Sequence, residues 1–474
     1  MMETPHALGE AMYGKDYQSI QNFVDVHLNM AAARGTDKLH DGMGFLTQHM
    51  ALTTEFEMSV QSISPHIAVP YWDYTYDWYI ANQTADPLAT LWSLEVWQPT
   101  WFGTATGAHS TIEEGRFAYI KAARNDSAAT TSPYGYLRAP WNVNKSPYLT
   151  RHHAFCGTSY SWQESSLVGG ESAVTTSWPS CKSHWELTFN ASTWYDWVWL
   201  ASYAPHGPVH FMIGGYGDCG DVELKVPALG DKPNDKGEAT TSIEAEHHKL
   251  NVGMLKESLL DIPKNMWRFK LAEFPTYCSD DTPQQDCHMV CKENVTDEVF
   301  RDFVVNTTLG PILFGDWISK LPADVRGQFL EWVCSTPFTT GEQMEAASPL
   351  DPSFWPIHPT MERLLHWKRI IQPFANSSWA APDDGETTYC VYHNTALNSK
   401  CAGHHVDDTT FWQVYHEDDV GNFTRSYLTN GEVFNIAEPH ESYRLSYVYD
   451  NFAWLHCDAS GYAFRSKLAS HHGQ

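Results

Sequence analysis

Apolar residues recur at spacings of three and four in a few separated stretches of the chain, and these mark its predicted helices. In residues 17–33, Ile20, Phe23, His27 and Met30 fall on one helical face. Residues 34–44 are broken by Gly35, Gly42 and Gly44 and read as a loop. Helical spacing resumes over residues 45–63, with Phe45, His49, Leu52 and Phe56 on one side, until Pro65 and Pro70 end it. A short helical pattern covers residues 206–213, between Pro205 and the pair Gly214-Gly215. Another covers residues 359–371, with Pro359 near its first position. Residues 75–185 are rich in Ser, Thr, Gly, Pro and aromatics and read as long loops. Residues 217–347 form a second long stretch, with a charged tract at 230–249 and five cysteines. The last hundred or so residues alternate Tyr, Trp, Val and Phe with polar groups and read as mostly β. The expected organisation is a helical domain over residues 1–374, with an insertion at about 217–347, followed by a β-rich region over 375–474. No internal repeat or low-complexity segment interrupts it.

Composition narrows the possible functions. A chain of 474 residues, 42% hydrophobic, can bury a large core and fits two or three domain-sized units, or one domain with large insertions. Its 57 acidic and 30 basic residues give a formal charge of −27. Such a chain repels phosphate backbones and anionic lipid surfaces, which argues against nucleic-acid and membrane partners. No apolar run of about 18 residues is present to span a bilayer.

The ten cysteines contain no CxxC pair, and the closest two are Cys287 and Cys291. Eight Asn-x-Ser/Thr sequons occur, at Asn82, Asn125, Asn144, Asn190, Asn294, Asn306, Asn376 and Asn422. Together they favour a secreted or lumenal glycoprotein with disulfides, although Met1–Glu10 shows no signal-peptide h-region.

The candidate chemistry lies in histidines. His206 and His210 are spaced i, i+4, which puts two imidazoles one turn apart on one face, able to grip one metal. An HxxxH pair is equally compatible with an ordinary structural role. Gly207 stands where a zinc peptidase would need its glutamate. His40 and His49 are nine residues apart, which a continuous helix would place on opposite faces. The glycine break allows His40 to approach from the loop and His49 from the next helix, with His27 as a third imidazole. The adjacent pairs His152-His153, His247-His248, His404-His405 and His471-His472 are expected at the surface, because chain neighbours rarely converge on one metal. His366 is expected in or near the core. His288, between Cys287 and Cys291, is expected beside disulfides rather than a metal.

The run from His40 to His49, followed by Glu55, Gln61, Pro65 and PYWD (Pro70–Asp73), closely resembles the first copper region of tyrosinases, catechol oxidases and molluscan-type hemocyanins. The run His206-GPV-His210-FMIGG resembles the start of their second copper region. DPSFWPIH (Asp351–His358) followed by PTMER resembles its end, usually written DPxFxxHHxxxDRxW. The three runs cover about a fifth of the chain, in the family's order.

The resemblance implies a mainly α core in which an antiparallel four-helix bundle holds two copper ions. The implied ligands of the first copper are His27, His40 and His49, with His6 as the fallback for His27. Those of the second are His206, His210 and His358. Ile357 replaces a histidine that is not a ligand in the family, and Glu362 replaces an aspartate, with Arg363 following in place. Asp351, Glu362 and Arg363 are expected to orient the ligands, with a structural ion pair as the other reading of the last two. Neutral imidazoles suit copper in both oxidation states, and three per metal leave one side open to O₂.

Several positions depart from the family pattern. Gly207 stands where many tyrosinases carry an asparagine that prepares monophenols, and Asp196 is the nearest candidate for its acidic partner. Both differences favour diphenol oxidation. Phe211 stands where the family orients substrate. Lys38 replaces the cysteine that some relatives bond to a histidine. Pro359 is expected to bias His358 away from helical geometry. The long gap between His210 and His358 holds an insertion that could be a lid, a partner surface or an inert disulfide-stapled excursion, and the last is the favoured reading.

The implied activity is copper-dependent oxidation of o-diphenols, with monophenols as a second class, using O₂. A hemocyanin-like O₂-binding protein and a copper-free binding module are the alternatives. The absence of tandem units argues against the first, and six intact candidate ligands against the second. The physiological phenol and the oligomeric state stay open.

Overall fold

The computed structural model describes residues 1–107, 110–124, 130–156, 162, 177–219, 260–307, 323–344, 346–379, 385–391, 395–397, 400–417, 419–441 and 443–465. The expected tract at 230–249, Asn125 and the pairs His247-His248 and His471-His472 lie outside them. Described helices α1 to α8 are His6–Tyr13, Ile20–Ala31, Phe45–Ile63, Tyr74–Ala81, Pro87–Ser93, Cys181–Asn190, Trp194–Ala201 and Gly207–Gly214. Then come α9 (Asp261–Arg268), α10 (Asp297–Thr307), α11 (Ala323–Ser335), α12 (Phe354–Ile371), α13 (Asn430–Ile436) and α14 (Leu455–Ala459). Strands are few: β1 (Tyr216–Gly217) pairs with β4 (Thr339–Thr340), β2 (Ala272–Glu273) with β3 (Val290–Cys291), and β5 (Thr409–Glu417) with β6 (Phe423–Thr429), all antiparallel. The protein is therefore mainly helical.

Helix α2 starts where Ser19 accepts a bond from the Asn22 amide, and it buries Ile20, Phe23, His27 and Leu28. The buried stripe of α3 runs almost without interruption from Phe45 to Thr53. The two helices meet α12 through Phe23, Phe56 and Trp355, with Phe56 stacked on the indole at 3.6 Å.

Helix α12 corrects a sequence expectation, because it begins at Phe354, so that His358 is helical and Pro359 lies inside the helix. Pro356 sits in the first turn, where its missing N–H has no intrahelical partner to lose. The backbone around Pro359 is held from outside. The Trp72 amide donates to the Pro356 carbonyl at 2.9 Å, and the Tyr449 hydroxyl to the Pro359 carbonyl at 3.0 Å. Complete burial of Phe354, Ile357, Met361 and Leu364 outweighs the local bias of the proline.

In place of a mostly β region after residue 375, the described residues hold the β5–β6 hairpin and two short helices. This part closes over the first histidine loop. A Cβ at Gly44 would stand 2.1 Å from the Gly403 carbonyl oxygen, and one at Gly42 would stand 2.5 Å from the His404 ring. The two glycines thus permit close approach as well as breaking a helix. His404 is fully buried, correcting its expected surface position. Its Nδ1 accepts from the Gly44 amide at 3.1 Å, and its Nε2–H donates to the Asp37 carbonyl at 2.7 Å. His153 likewise stacks on Trp92 at 4.0 Å.

All ten cysteines are paired: Cys156–Cys219, Cys181–Cys457, Cys278–Cys287, Cys291–Cys334 and Cys390–Cys401. Five disulfides are typical of secreted or lumenal proteins. Among the sequons, Asn144 is buried and its side-chain amide donates to Thr150, so it is closed to a glycan. No described helix is long and apolar enough to cross a membrane.

Candidate metal centre

Each of the six candidate histidines presents one ring nitrogen to the protein. His27, on α2, directs Nδ1 to the Ala346 carbonyl at 2.5 Å. His40 extends from the loop, with Nδ1 3.2 Å from the Asp37 carboxylate. His49, on α3, donates from Nδ1 to the Phe45 carbonyl at 2.7 Å. His206 is held by the Ser202 carbonyl. His210 on α8 and His358 on α12 bond through Nδ1 to the carbonyls of Gln343 and Phe354, both at 3.0 Å. Occupying Nδ1 fixes the tautomer and ring orientation and leaves Nε2 as the free donor atom.

The Nε2 atoms converge in two groups. In the second, Nε2 of His206 lies 2.9 Å from that of His210 and 3.0 Å from that of His358. In the first, Nε2 of His27 and Nε2 of His49 are buried without a hydrogen-bond partner. Within each trio the candidate ligand atoms all lie within 4.8 Å of one another. The groups adjoin, since the rings of His49 and His358 stack at 4.4 Å. Buried nitrogens without partners are costly unless something takes their lone pairs. Two trios of imidazoles, two of whose nitrogens are buried without a partner, fit two metal ions, and an all-imidazole donor set suits copper.

Burial lowers the pKa of His27 to about 3 and of His210 to about 4. Burial also holds His49, His206 and His358 well below the usual histidine range. These rings are neutral at physiological pH, the form that ligates a metal. His6 lies exposed on α1 against Tyr17 and takes no part. Cys181, His456 and Cys457 also cluster, but the two sulfurs are joined to each other.

Local geometry delivers His206. Pro205 has no N–H, and the chain from Ser202 to His206 widens into a π-helical turn in which the Gly207 amide bonds the Ser202 carbonyl. Gly207 leaves the turn unhindered, because a Cβ there would lie 3.1 Å from that same carbonyl oxygen and push it by a few tenths of an ångström.

The supports differ from those expected. Glu362 and Arg363 do not pair with each other. Glu362 accepts from the Tyr447 hydroxyl at 2.5 Å, while Arg363 stacks on Trp454 at 3.9 Å and donates to Asn451. Adjacent positions on α12 point them to different neighbours. Asp351 forms a two-pronged ion pair with Arg151, at 2.7 Å to both oxygens, and accepts from the Ser353 amide at the start of α12. Asp196 is exposed and bonded to Thr193 at the N-terminus of α7, away from the histidines.

The long insertion reaches the histidine centre. Its residues Asp261 and Lys264, on α9, line the cavity beside His40, His206 and His210, together with Phe211 and Gly207. Lys264 reaches Asp37 at 2.8 Å and Asp41 at 3.3 Å, and Asp41 also accepts from the Tyr203 hydroxyl. Burial opposes ionisation of Asp37, but Lys264 and His40 outweigh it and hold its carboxyl well below the usual range. Sequence reading missed Asp37, Asp41, Asp261 and Lys264. Only Asp37, three residues before His40, had a local signal.

Residues 17–231 match the family model described as the common central domain of tyrosinase. No curated protein matches the chain.

Proposed function

With residues 17–231 placing the chain in the tyrosinase, or type-3 copper, family, we propose that it is a copper-dependent phenol oxidase that uses O₂ to convert o-diphenols to o-quinones. The reading rests on one observation above all: six imidazoles, five buried and His40 half-buried, are each anchored at one nitrogen and aim the other into two adjoining trios. His27, His40 and His49 would hold one copper, and His206, His210 and His358 the other. Helices α2, α3, α8 and α12 serve as the four-helix frame that holds them. The metal pair supplies redox chemistry with O₂ when bound, taking two electrons from each diphenol.

The chain's own groups prepare the site for a phenol. Phe211 offers an apolar ring to the cavity, with Trp141 and Met344 as further walls. Gly207 leaves room for a substrate beside His206 and brings no polar group to receive a phenolic proton. That favours diphenols over monophenols. Five carbonyl anchors and the Asp37 carboxylate keep the imidazoles fixed, so the rings need no reorientation as substrate arrives.

Copper quantification and O₂ uptake test this. The proposal expects two copper ions per chain, uptake with catechol well above that with tyrosine, and loss of uptake in His210→Ala. Copper far below two per chain, or reversible O₂ binding without turnover of either phenol, would overturn it.

A further inference from the structure

Three carboxylates, Asp37, Asp41 and Asp261, line the cavity of the histidine centre, and Lys264 is the one cation among its described lining residues. Lys264 is engaged at 2.8 and 3.3 Å by Asp37 and Asp41. Asp37 is further bonded by the amides of Leu39 and His40, and Asp41 by Tyr203. Asp261 differs. It is 7% exposed, and among the described residues its carboxylate receives no hydrogen bond. It stands at the first position of α9, where Asn265 bonds its backbone carbonyl, and it lines the cavity.

The cations near Asp261 do not offset this. Arg268, on the same helix, is fully buried and lies outside the cavity lining. Burial first and the Asp41 charge second push Asp261 up to about 7, against the weaker pull of Lys264 and Arg268 and with a smaller push from Asp37. A buried carboxylate in this position gains most from a ligand that brings a positive charge to it.

We infer that Asp261 is a specificity-determining residue that selects phenols carrying a protonated amine over phenols carrying a carboxylate. The inference rests on the phenol-oxidase reading above and deepens it. The phenol ring occupies the apolar part of the cavity by the histidines, and the ammonium donates to Asp261. A substrate carboxylate would meet Asp37, Asp41 and the Asp261 carboxyl there, with nothing positive to receive it but one lysine that is already paired. The discriminating element belongs to the insertion between His210 and His358, so selectivity is separated in sequence from the histidine centre.

Copper-loaded full-length protein provides the test, with dopamine, 4-methylcatechol and 3,4-dihydroxyphenylpropionate as substrates. The expected preference is at least about tenfold in kcat/KM for dopamine over the propionate, equivalent to about 1.4 kcal/mol. In Asp261→Asn the ratio of dopamine to 4-methylcatechol should fall by about the same factor, through KM rather than kcat. Equal turnover of dopamine and propionate by the unmodified protein overturns the inference, and that comparison needs no variant to fold. So does an Asp261→Asn variant that lowers all three substrates alike. A tryptophan-fluorescence titration with tyramine and with 3-(4-hydroxyphenyl)propionate reads the same preference without turnover. If none of the catechols is oxidised but tyramine still binds more tightly, the phenol-oxidase reading fails and the charge selectivity stands. If the two ligands bind equally, the selectivity fails whatever the activity.

Discussion

The ammonium of Lys264 lies 2.8 Å from Oδ2 of Asp37, across 227 positions of sequence, and Oδ1 of Asp37 faces Nδ1 of His40 at 3.2 Å. The insertion is thereby tied to the loop that carries one of the candidate ligands. Both side chains are almost fully buried, so removing one partner strands a charge in a poorly solvated place. Lys264→Met should lower unfolding stability by about 3–5 kcal/mol. The double variant Lys264→Met/Asp37→Asn should lose less than the sum of the singles, by about 1 kcal/mol or more. Denaturant unfolding of the four proteins checks this, and strict additivity would contradict the coupling.

The pair Arg151–Asp351 is completely buried and two-pronged. Asp351→Asn removes the charge that Arg151 requires and weakens the bonds to Ser353 that begin α12. A loss of about 3–5 kcal/mol is expected. Thermal melting should report a clear fall in Tm, and an unchanged Tm would show that the arginine finds compensation elsewhere.

Gly207→Ala places a methyl group 3.1 Å from the Ser202 carbonyl oxygen, which also anchors His206. The carbonyl must shift, and the His206 ring with it. Copper affinity should drop roughly tenfold, the scale on which an anchor outside the ligand set acts. Competition with a chelator measures it. Copper retention equal to that of the unmodified chain would mean the turn absorbs the methyl group.

Burial raises Glu362 from its ordinary value near 4.5 to about 7, although Tyr447 donates to it. A carboxyl whose pKa is higher in the folded protein binds its proton more tightly there. Its contribution to stability is complete below about pH 4.5 and is lost as pH rises through 7. The loss amounts to roughly 3 kcal/mol. Glu362→Gln, which carries no titrating proton, should be less stable than the parent, or equal to it, at pH near 5 and gain relative to it by pH near 8. Tm values for both proteins at the two pH values decide the matter. Parallel pH profiles would show that Glu362 is not the group responsible.

Much of the frame was legible in the sequence, because it depends on local periodicity. The spacing of Ile20, Phe23 and His27 and that of Phe45, His49 and Leu52 gave α2 and α3, since a stripe at helical spacing has one way to bury itself. Helix α12 was read too short. Proline governs the local backbone, whereas the contacts of Trp72 and Tyr449 that hold the carbonyls around Pro359 come from segments that local reading does not join. The expected β character after residue 375 failed for a related reason. Alternating aromatics such as Tyr443, Tyr447 and Phe452 pack against α12 and its neighbours in irregular chain rather than in a ladder.

For the candidate site, the sequence by itself singled out the six histidines that the fold brings together. Residue type, spacing and order carry the chemistry of a ligand, and the six rings do gather in two trios. Tertiary structure decided everything around them: the carbonyls of Ala346 and Gln343 that fix His27 and His210, the pairing of Asp351 with Arg151, and the arrival of Asp261 and Lys264 in the cavity. A backbone carbonyl acts as an anchor whatever side chain it bears, and a lysine or aspartate in a long insertion has no spacing that announces its partner. Such groups acquire a role only when packing excludes water and brings distant charges within a few ångströms, and that proximity is a property of the folded chain.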